Sequence, residues 1–266
     1  ESKGCDTPRL DSEVLLGYCL NLSRVQLYLN YERPLSTAER DTYRELVLRR
    51  ASREPVSLIV GNKEFWSHPF KVLPGVLVPR PDTETLVEVV VNELASCNKP
   101  MALEIGVGSG AISVSVLLEN PNVSIIGIDI SRSAIDLSLE NARLLGCADR
   151  FFVVLSDLTS AFRRGPFFNV IFSNPPYIRT SDITNLAPEI VKFDPMSALD
   201  GGADGLDFFR IIGEQAAEFL SPGGSLILET GDGQSSDVAE ILETTGRYRK
   251  ITFQRDLGGR TRVVRA

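Results

Sequence analysis

The part of the sequence that most constrains the fold begins at residue 81, where apolar segments of helical and of strand length start to alternate. Parallel strands need crossover connections, usually helices, so this alternation predicts an α/β domain with helices on both faces of a parallel sheet. The last two predicted strands follow each other closely and are expected to form an antiparallel hairpin. The predicted helices cover residues 82–94, 111–119, 133–145, 206–219 and 236–244, and the predicted strands cover residues 101–105, 123–130, 151–155, 167–172, 225–228, 251–254 and 262–264.

The first 55 residues have a different pattern, which predicts a small helical unit. Apolar residues recur at helical spacing over residues 9–20, and Ser36 with Glu39 forms a capping box before a helix that extends to about residue 53. Short apolar segments punctuated by glycine and proline then predict strands of a hairpin, at residues 58–60, 65–66, 70–72 and 76–78. The predicted parts are therefore a helical domain (1–55), a β-hairpin connector (56–80) and an α/β domain (81–266).

Composition and charge exclude several classes of protein. Hydrophobic residues make up 43% and charged residues 24% of the chain, values of an ordinary folded protein. The net charge of −7, with the acid excess after residue 80, argues against sequence-blind binding to nucleic acid. No apolar run approaches the roughly 20 residues of a membrane span. The four cysteines are scattered and there is one histidine, which argues against a metal site. Scattered thiols in a chain of this length favour a reducing compartment. We therefore expect a cytoplasmic protein without a leader segment.

A glycine-rich run follows the first strand of the α/β domain. Gly106, Gly108 and Gly110 permit a tight turn and close approach of a ligand to the backbone. Their spacing differs from the dinucleotide-binding pattern, so a smaller nucleoside ligand is favoured over a dinucleotide. The alternative is a compact turn without a ligand.

Two acidic residues follow the next strands along the chain. Asp129 lies 23 residues after Gly106. This is close to the separation of about 20 residues at which an acidic residue accepts ribose hydroxyls in nucleotide-binding sheets. Asp157 follows the strand at 151–155 and is a candidate acceptor for an adenine amino group. Either residue could instead be a solvated acid at the end of a strand.

The strongest motif is Asn174-Pro175-Pro176-Tyr177, directly after the strand at 167–172. The two prolines lack backbone donors and hold the chain extended, which leaves the Asn174 side-chain oxygen and the Pro175 carbonyl as acceptors. Two acceptors suit an NH₂ group conjugated to a carbonyl or ring, because they favour a pyramidal nitrogen with its lone pair directed at an electrophile. Tyr177 could pack on a flat group. The alternative is a proline-rich loop without a chemical role.

These motifs together resemble the S-adenosylmethionine-dependent methyltransferases that act on amide or exocyclic amino nitrogens. Within them the chain is similar to the HemK/PrmC methyltransferases, which modify a glutamine of peptide chain release factors. The similarity extends along almost the whole chain, through residues 8–11, 53–56, 59–61, 78–88, 198–202, 228–231 and 256–260.

The resemblance implies a class I methyltransferase fold, a Rossmann-like seven-stranded sheet with the last pair antiparallel. It implies methyl transfer to the N5 amide nitrogen of the glutamine in a Gly-Gly-Gln motif. It also implies that release factors are the partners and that the helical domain binds them. We expect a monomer that binds neither membrane nor nucleic acid directly. The implied contacts to S-adenosylmethionine are Glu104, Gly106, Val107, Gly108, Ser109, Gly110, Asp129, Asp157, Leu158 and Asn174, and those to the substrate are Asn174, Pro175, Pro176 and Tyr177, with Asn174 and Pro175 catalytic. Leu158 stands where the family often has an aromatic residue.

Other functions stay open at this point. An adenine-N6 methyltransferase of DNA or RNA would use the same motif but needs a duplex-sized basic surface. A non-catalytic binding module would not need residues 174–177, and a dehydrogenase would need the other glycine spacing. His68 is expected on the surface or in packing, Trp66 in packing between the parts. The basic cluster of Arg44, Arg49, Arg50 and Arg53 is expected to be a solvated helix face.

Overall fold

The computed structural model describes residues 4–266 and begins with a small helical unit. Its helices are α1 (Pro8–Leu20), α2 (Arg24–Leu29), α3 (Thr37–Ala51) and α4 (Val56–Val60). The predicted capping box is confirmed, since the Glu39 N–H donates to Ser36 Oγ at 3.2 Å and the Ser36 N–H donates to the Glu39 carboxylate at 2.8 Å. Leu15, Leu46 and Ile59 form the small core of this unit.

Two of the predicted strands are wrong. Residues 58–60 lie in α4, whose Ile59 packs on α1 and α3, because a three-residue apolar run carries too little periodicity to separate helix from strand. Residues 76–78 lie outside any strand. Val76 packs against Ala134 and Leu137, so this apolar residue is buried against other side chains without a strand partner.

The predicted hairpin is confirmed as β1 (Asn62–Phe65) and β2 (His68–Lys71), paired antiparallel. Trp66 and Ser67 form its two-residue turn at φ of 50° and 59°, the positive values that a type I′ turn requires. Phe65 and Phe70 are buried in the main core, and the partly buried Trp66 packs against the same core. His68 lies in β2, partly exposed, outside the candidate site.

The rest of the chain forms the predicted α/β sheet. Its helices are α5 (Glu84–Leu94), α6 (Ala111–Glu119), α7 (Arg132–Leu144), α8 (Pro188–Phe193), α9 (Asp207–Ala216) and α10 (Ser235–Thr244). Its strands are β3 (Met101–Ile105), β4 (Ser124–Asp129), β5 (Phe151–Leu155), β6 (Phe168–Ser173), β7 (Leu220–Glu229), β8 (Thr252–Arg255) and β9 (Thr261–Arg265). The strand order is β5-β4-β3-β6-β7-β9-β8, with β9 antiparallel to both β7 and β8. The two sheet faces are covered by separate apolar clusters.

This strand order determines where a ligand can bind. The chain builds outward in one direction through β3, β4 and β5, and then returns to the other side of β3 with β6. The carboxyl ends of β3 and β6 are neighbours, since Ile105 pairs with Ser173. In open α/β sheets, ligands bind at such a reversal point, beyond the carboxyl ends of the strands.

The expectation of a solvated basic face is wrong for Arg50 and Arg53. Both side chains are largely buried and form ion pairs with Glu189 of α8, at 3.1 and 2.6 Å. Arg50 also pairs with Asp11 of α1 at 2.7 Å. The two arginines therefore join the helical unit to the sheet domain. They do so through Glu189, which is far from them in the sequence.

Candidate methyl-transfer site

One cavity of about 280 Å³ lies at the carboxyl ends of the central strands. The glycine loop after β3, Asp129 at the end of β4, residues 156–158 after β5 and residues 173–176 after β6 all line it. Parallel strands bring their carboxyl ends to one edge, so motifs separated by dozens of residues meet there. Eight of the residues predicted to form the site line this cavity: Gly106, Gly108, Asp129, Asp157, Leu158, Asn174, Pro175 and Pro176.

The glycine loop is shaped for close approach of a ligand. Gly106 and Gly108 have φ of 78° and 53°, a backbone conformation that other residues rarely adopt. Nothing lies within 4 Å of the position that a Cβ would occupy on either residue. Gly110 differs, because a Cβ there would approach the Cβ of Ser138 to 2.9 Å. The first two glycines thus open the cavity, whereas Gly110 lets the loop pack on α7.

Asp129 is held firmly at the cavity wall. Its Oδ2 accepts the Gly108 N–H at 2.9 Å and its Oδ1 accepts the Ser131 N–H at 2.8 Å. Each carboxylate oxygen has a further lone pair, so Asp129 can still accept hydroxyl donors from a ligand. The glycine loop and the acidic residue are therefore positioned together.

Asn174 has a fixed orientation at the neighbouring wall. Its Nδ2 donates to the Thr83 hydroxyl at 3.1 Å, which leaves Oδ1 available as an acceptor. Pro175 is buried and Pro176 partly exposed, and both line the cavity. The Ser173 hydroxyl donates to the Ile105 carbonyl at 2.7 Å and ties this segment to β3.

Five of the expected site residues do not line the cavity: Glu104, Val107, Ser109, Gly110 and Tyr177. Glu104 is fully buried and accepts the backbone N–H and the hydroxyl of Ser113. Burial raises the pKa of Glu104 to about 8. Glu104 thus connects β3 to the start of α6, the two elements that flank the glycine loop.

Tyr177 packs against the core cluster behind the cavity. Burial raises its pKa to about 12, so the phenol is neutral at physiological pH.

Sequence reasoning missed several residues that line the cavity. Ile130 follows Asp129, and residues 75–77 reach the cavity from the connector. Pro195, Ser197 and Ala198 form another wall from the long segment after β6. That wall is anchored by the buried carboxylate of Asp194, which pairs with Arg80. Apolar residues in loops give no periodic signal, so only the fold could place them here.

Residues 4–266 contain neither a metal-binding cluster nor a membrane-spanning helix. No group of histidine, cysteine and acidic side chains there could hold a metal ion. None of the helices in that range has the length and apolar character of a membrane span.

Comparison with known proteins defines the class of this molecule. Residues 73–203 match the family described as "Methyltransferase small domain". A SAM-dependent methyltransferase of Agrobacterium tumefaciens shares the fold, with a TM-score of 0.51 and 15% identity over 77% of this chain and 68% of that chain. The strand order and this likeness identify the fold as that of the class I methyltransferases.

More similar relatives narrow the class to one family. Residues 1–61 match the PrmC N-terminal domain. The release factor glutamine methyltransferase of Geobacter sulfurreducens is 42% identical over 262 residues, covering 98% of this chain and 90% of that protein. The enzyme of the same name from Rhodospirillum rubrum is 41% identical over 263 residues, covering 99% and 80%. The chain belongs to the PrmC/HemK release factor glutamine methyltransferase family.

Proposed function

We propose that this protein transfers a methyl group from S-adenosylmethionine to the side-chain amide nitrogen of the glutamine in the Gly-Gly-Gln motif of release factors. The observation that carries the proposal is the placement of Asn174 and Pro175 beside Gly106 and Asp129 in one cavity, with Asn174 Oδ1 free to accept. The names of the relatives support release factors as the substrate.

The cavity wall fits the methyl donor. Gly106 and Gly108 leave open space where side chains would otherwise stand, and Asp129 offers carboxylate oxygens to ribose hydroxyls. Ile130 and Leu158 supply apolar surface for the adenine ring, and Asp157 can accept from its amino group. S-adenosylmethionine, when bound, supplies an electrophilic methyl group on a sulfonium sulfur.

Asn174 and Pro175 would supply the catalytic contacts. An amide nitrogen is a poor nucleophile because its lone pair is delocalised into the carbonyl group. Two acceptors, Asn174 Oδ1 and the Pro175 carbonyl, bind its two hydrogens and favour a pyramidal nitrogen with its lone pair directed at the methyl group. This contact strengthens in the transition state, and removing one such preorganised group typically costs about 10²–10³ in rate.

The helical unit would bind the release factor. Its α2 and the following turn expose large apolar side chains, with Val25 69%, Leu29 77% and Tyr31 79% exposed. Clustered exposed apolar residues mark protein interaction surfaces. We propose that residues 1–55 dock the substrate protein, the connector of residues 56–80 shapes the cavity entrance, and residues 81–266 carry out the transfer.

The test is a peptide mass spectrum of an unmethylated release factor after incubation with this protein and S-adenosylmethionine. We expect one added methyl on the Gly-Gly-Gln glutamine. Asn174→Ala should lower the rate by at least about 10² while S-adenosylhomocysteine binding stays within about twofold. Asn185→Ala, at an exposed asparagine in the segment after β6, is the matched control.

Two results would contradict the proposal. An undiminished rate in Asn174→Ala would remove the role assigned to this residue. An unmodified release factor, with donor binding demonstrated, would reject the substrate and make adenine-containing nucleic acid the next one to try.

A further inference from the structure

Behind the cavity wall, Asn174 belongs to a buried polar cluster whose other members have no assigned role. Thr83 ends the 3-10 turn Pro81–Thr83 and Glu229 ends β7, and the two residues are 5% and 2% exposed. Asn174 Nδ2 donates to Thr83 Oγ1 at 3.1 Å. Three elements distant in sequence therefore bring polar side chains together, two of them buried and Asn174 reaching the cavity.

Each hydrogen bond in this cluster has a defined donor and acceptor. Thr83 Oγ1 receives the Asn174 amide hydrogen, so its own hydroxyl hydrogen must be directed at another acceptor. Within residues 4–266, the Glu229 Oε2 atom is buried and has no hydrogen-bond partner. An unpaired buried carboxylate oxygen is costly, so a donor is required there.

Other charged groups also face Glu229. Arg262 of β9 is buried and pairs with Asp82 at 3.0 Å and with Asp256 at 3.4 Å. Tyr177 lies on the adjoining loop, close to Glu229, Arg262, Asp82 and Arg80. Burial raises the pKa of Glu229 to about 7, whereas the nearby Thr83 hydroxyl, the charge of Arg262 and the Asn174 amide lower it, and the charge of Asp82 raises it further.

We propose that Thr83 and Glu229 are positioning residues that fix the amide orientation of Asn174. The ionised Glu229 accepts the Thr83 hydroxyl hydrogen, and Thr83 then accepts the Asn174 Nδ2 hydrogen. This chain turns Oδ1 toward the cavity. If the amide were reversed, Asn174 would present a donor to the NH₂ group of the substrate and repel it. The inference rests on the proposed role of Asn174.

The first test compares two substitutions at Thr83. Thr83→Ser keeps the hydroxyl and should retain kcat within about threefold, whereas Thr83→Val has nearly the same shape without the hydroxyl and should lower kcat about 100-fold. Affinity for S-adenosylhomocysteine should stay within about twofold in both variants, since neither touches the donor cavity. Equal kcat values for the valine and serine variants would overturn the proposal.

A pH profile of kcat gives a second, independent readout. Because protonation weakens Glu229 as an acceptor and gives it a hydrogen of its own to donate, kcat of the wild-type protein should rise with pH up to about pH 7 and then level off. Glu229→Gln should lose this rise. A variant profile that keeps the wild-type rise would overturn the role of Glu229, and this test decides the matter if Thr83→Val fails to fold.

Asn174→Ala measured in parallel separates this inference from the proposed function. If the Asn174→Ala variant is active, the catalytic role proposed for Asn174 is rejected. An inactive Asn174→Ala together with a fully active Thr83→Val rejects only the positioning chain.

Discussion

Glu104 is a carboxyl group without access to water, at the end of the sheet where the glycine loop begins. Its Oε2 accepts both donors of Ser113, while Oε1 has no partner within residues 4–266. Burial of a charge without full compensation is unfavourable, and this is why its pKa lies near 8 and not near 4.5. At neutral pH the group is mainly protonated and can itself donate.

This raised pKa makes the stability of the protein depend on pH. Between pH 4.5 and about 8 the folded state keeps a proton that the unfolded state has released. The free energy of unfolding therefore falls as pH rises through this window, by at most about 1.4 kcal/mol per pH unit for this one group. Urea unfolding at pH 5.5, 6.5 and 7.5 measures the slope.

The substitution Glu104→Gln should remove this share of the slope, because glutamine stays neutral and can still accept from Ser113. Glu88→Gln, at an exposed residue of α5, is the control and should keep the wild-type slope. If Glu104→Gln and Glu88→Gln show the same slope, Glu104 does not carry the proton.

At the residue scale, the sequence predicted those parts of the candidate site that form continuous motifs. Gly106, Asp129 and Asn174 each follow a strand, and parallel strands bring such residues together. Thr83 and Glu229 gave no such signal, although both lie in segments quoted for the family resemblance. Their proximity to Asn174 arises from the folding of three separate elements, and no spacing in the sequence encodes it.

At the scale of elements, one side chain of α7 connects the β1–β2 hairpin to the glycine loop. Asn141 is fully buried, its Oδ1 accepts the Lys71 N–H at 2.8 Å, and its Nδ2 donates to the carbonyls of Lys71 and Ser109 at 3.0 and 2.9 Å. It therefore connects the hairpin, the glycine loop and α7.

Replacing Asn141 by alanine should leave three backbone groups unpaired, the buried carbonyl of Ser109 and the partly buried N–H and carbonyl of Lys71. We expect a loss of about 2–4 kcal/mol in the free energy of unfolding, since each unsatisfied buried group costs about 1–3 kcal/mol and relaxation recovers part of this. Chemical denaturation measures the loss, and the exposed Asn185→Ala serves again as control. A loss equal to that of the control would show that the hairpin docks without Asn141.

Elements with long, strongly patterned segments were predicted well. Strands Met101–Ile105 and Phe151–Leu155 and helix Ala111–Glu119 have the predicted bounds. The short α2 was not predicted, although Ser23 and Gln26 form a capping box, because six residues carry too little periodicity. The α4 segment was taken for a strand for the same reason.

At the scale of the whole molecule, Glu189 joins the helical unit to the segment that forms one cavity wall. Arg50 and Arg53 both pair with it, and hydrogen bonds from these arginines lower its pKa even though burial favours the neutral form. No local pattern could predict this contact, because the arginines and the acid are more than 130 residues apart.

Glu189→Ala should leave two largely buried guanidinium groups without this partner. We expect a destabilisation of about 1–3 kcal/mol, because the charged hydrogen bonds lost here are shielded from solvent. Asp204→Ala, which breaks the exposed pair with Arg210, should cost clearly less, because solvent screens that pair. Thermal unfolding of both variants gives the comparison, and equal costs would contradict a structural role for the Glu189 pairs.

The hairpin turn also gives the molecule an internal optical reporter. Trp66 is the single tryptophan of the chain, and its indole N–H donates to Glu119 of α6 at 2.7 Å while its backbone N–H donates to Glu84 at 2.8 Å. Its ring packs against the edge of the main core. Tryptophan fluorescence therefore reports on the contact between the hairpin and the sheet domain, without any label attached to the protein.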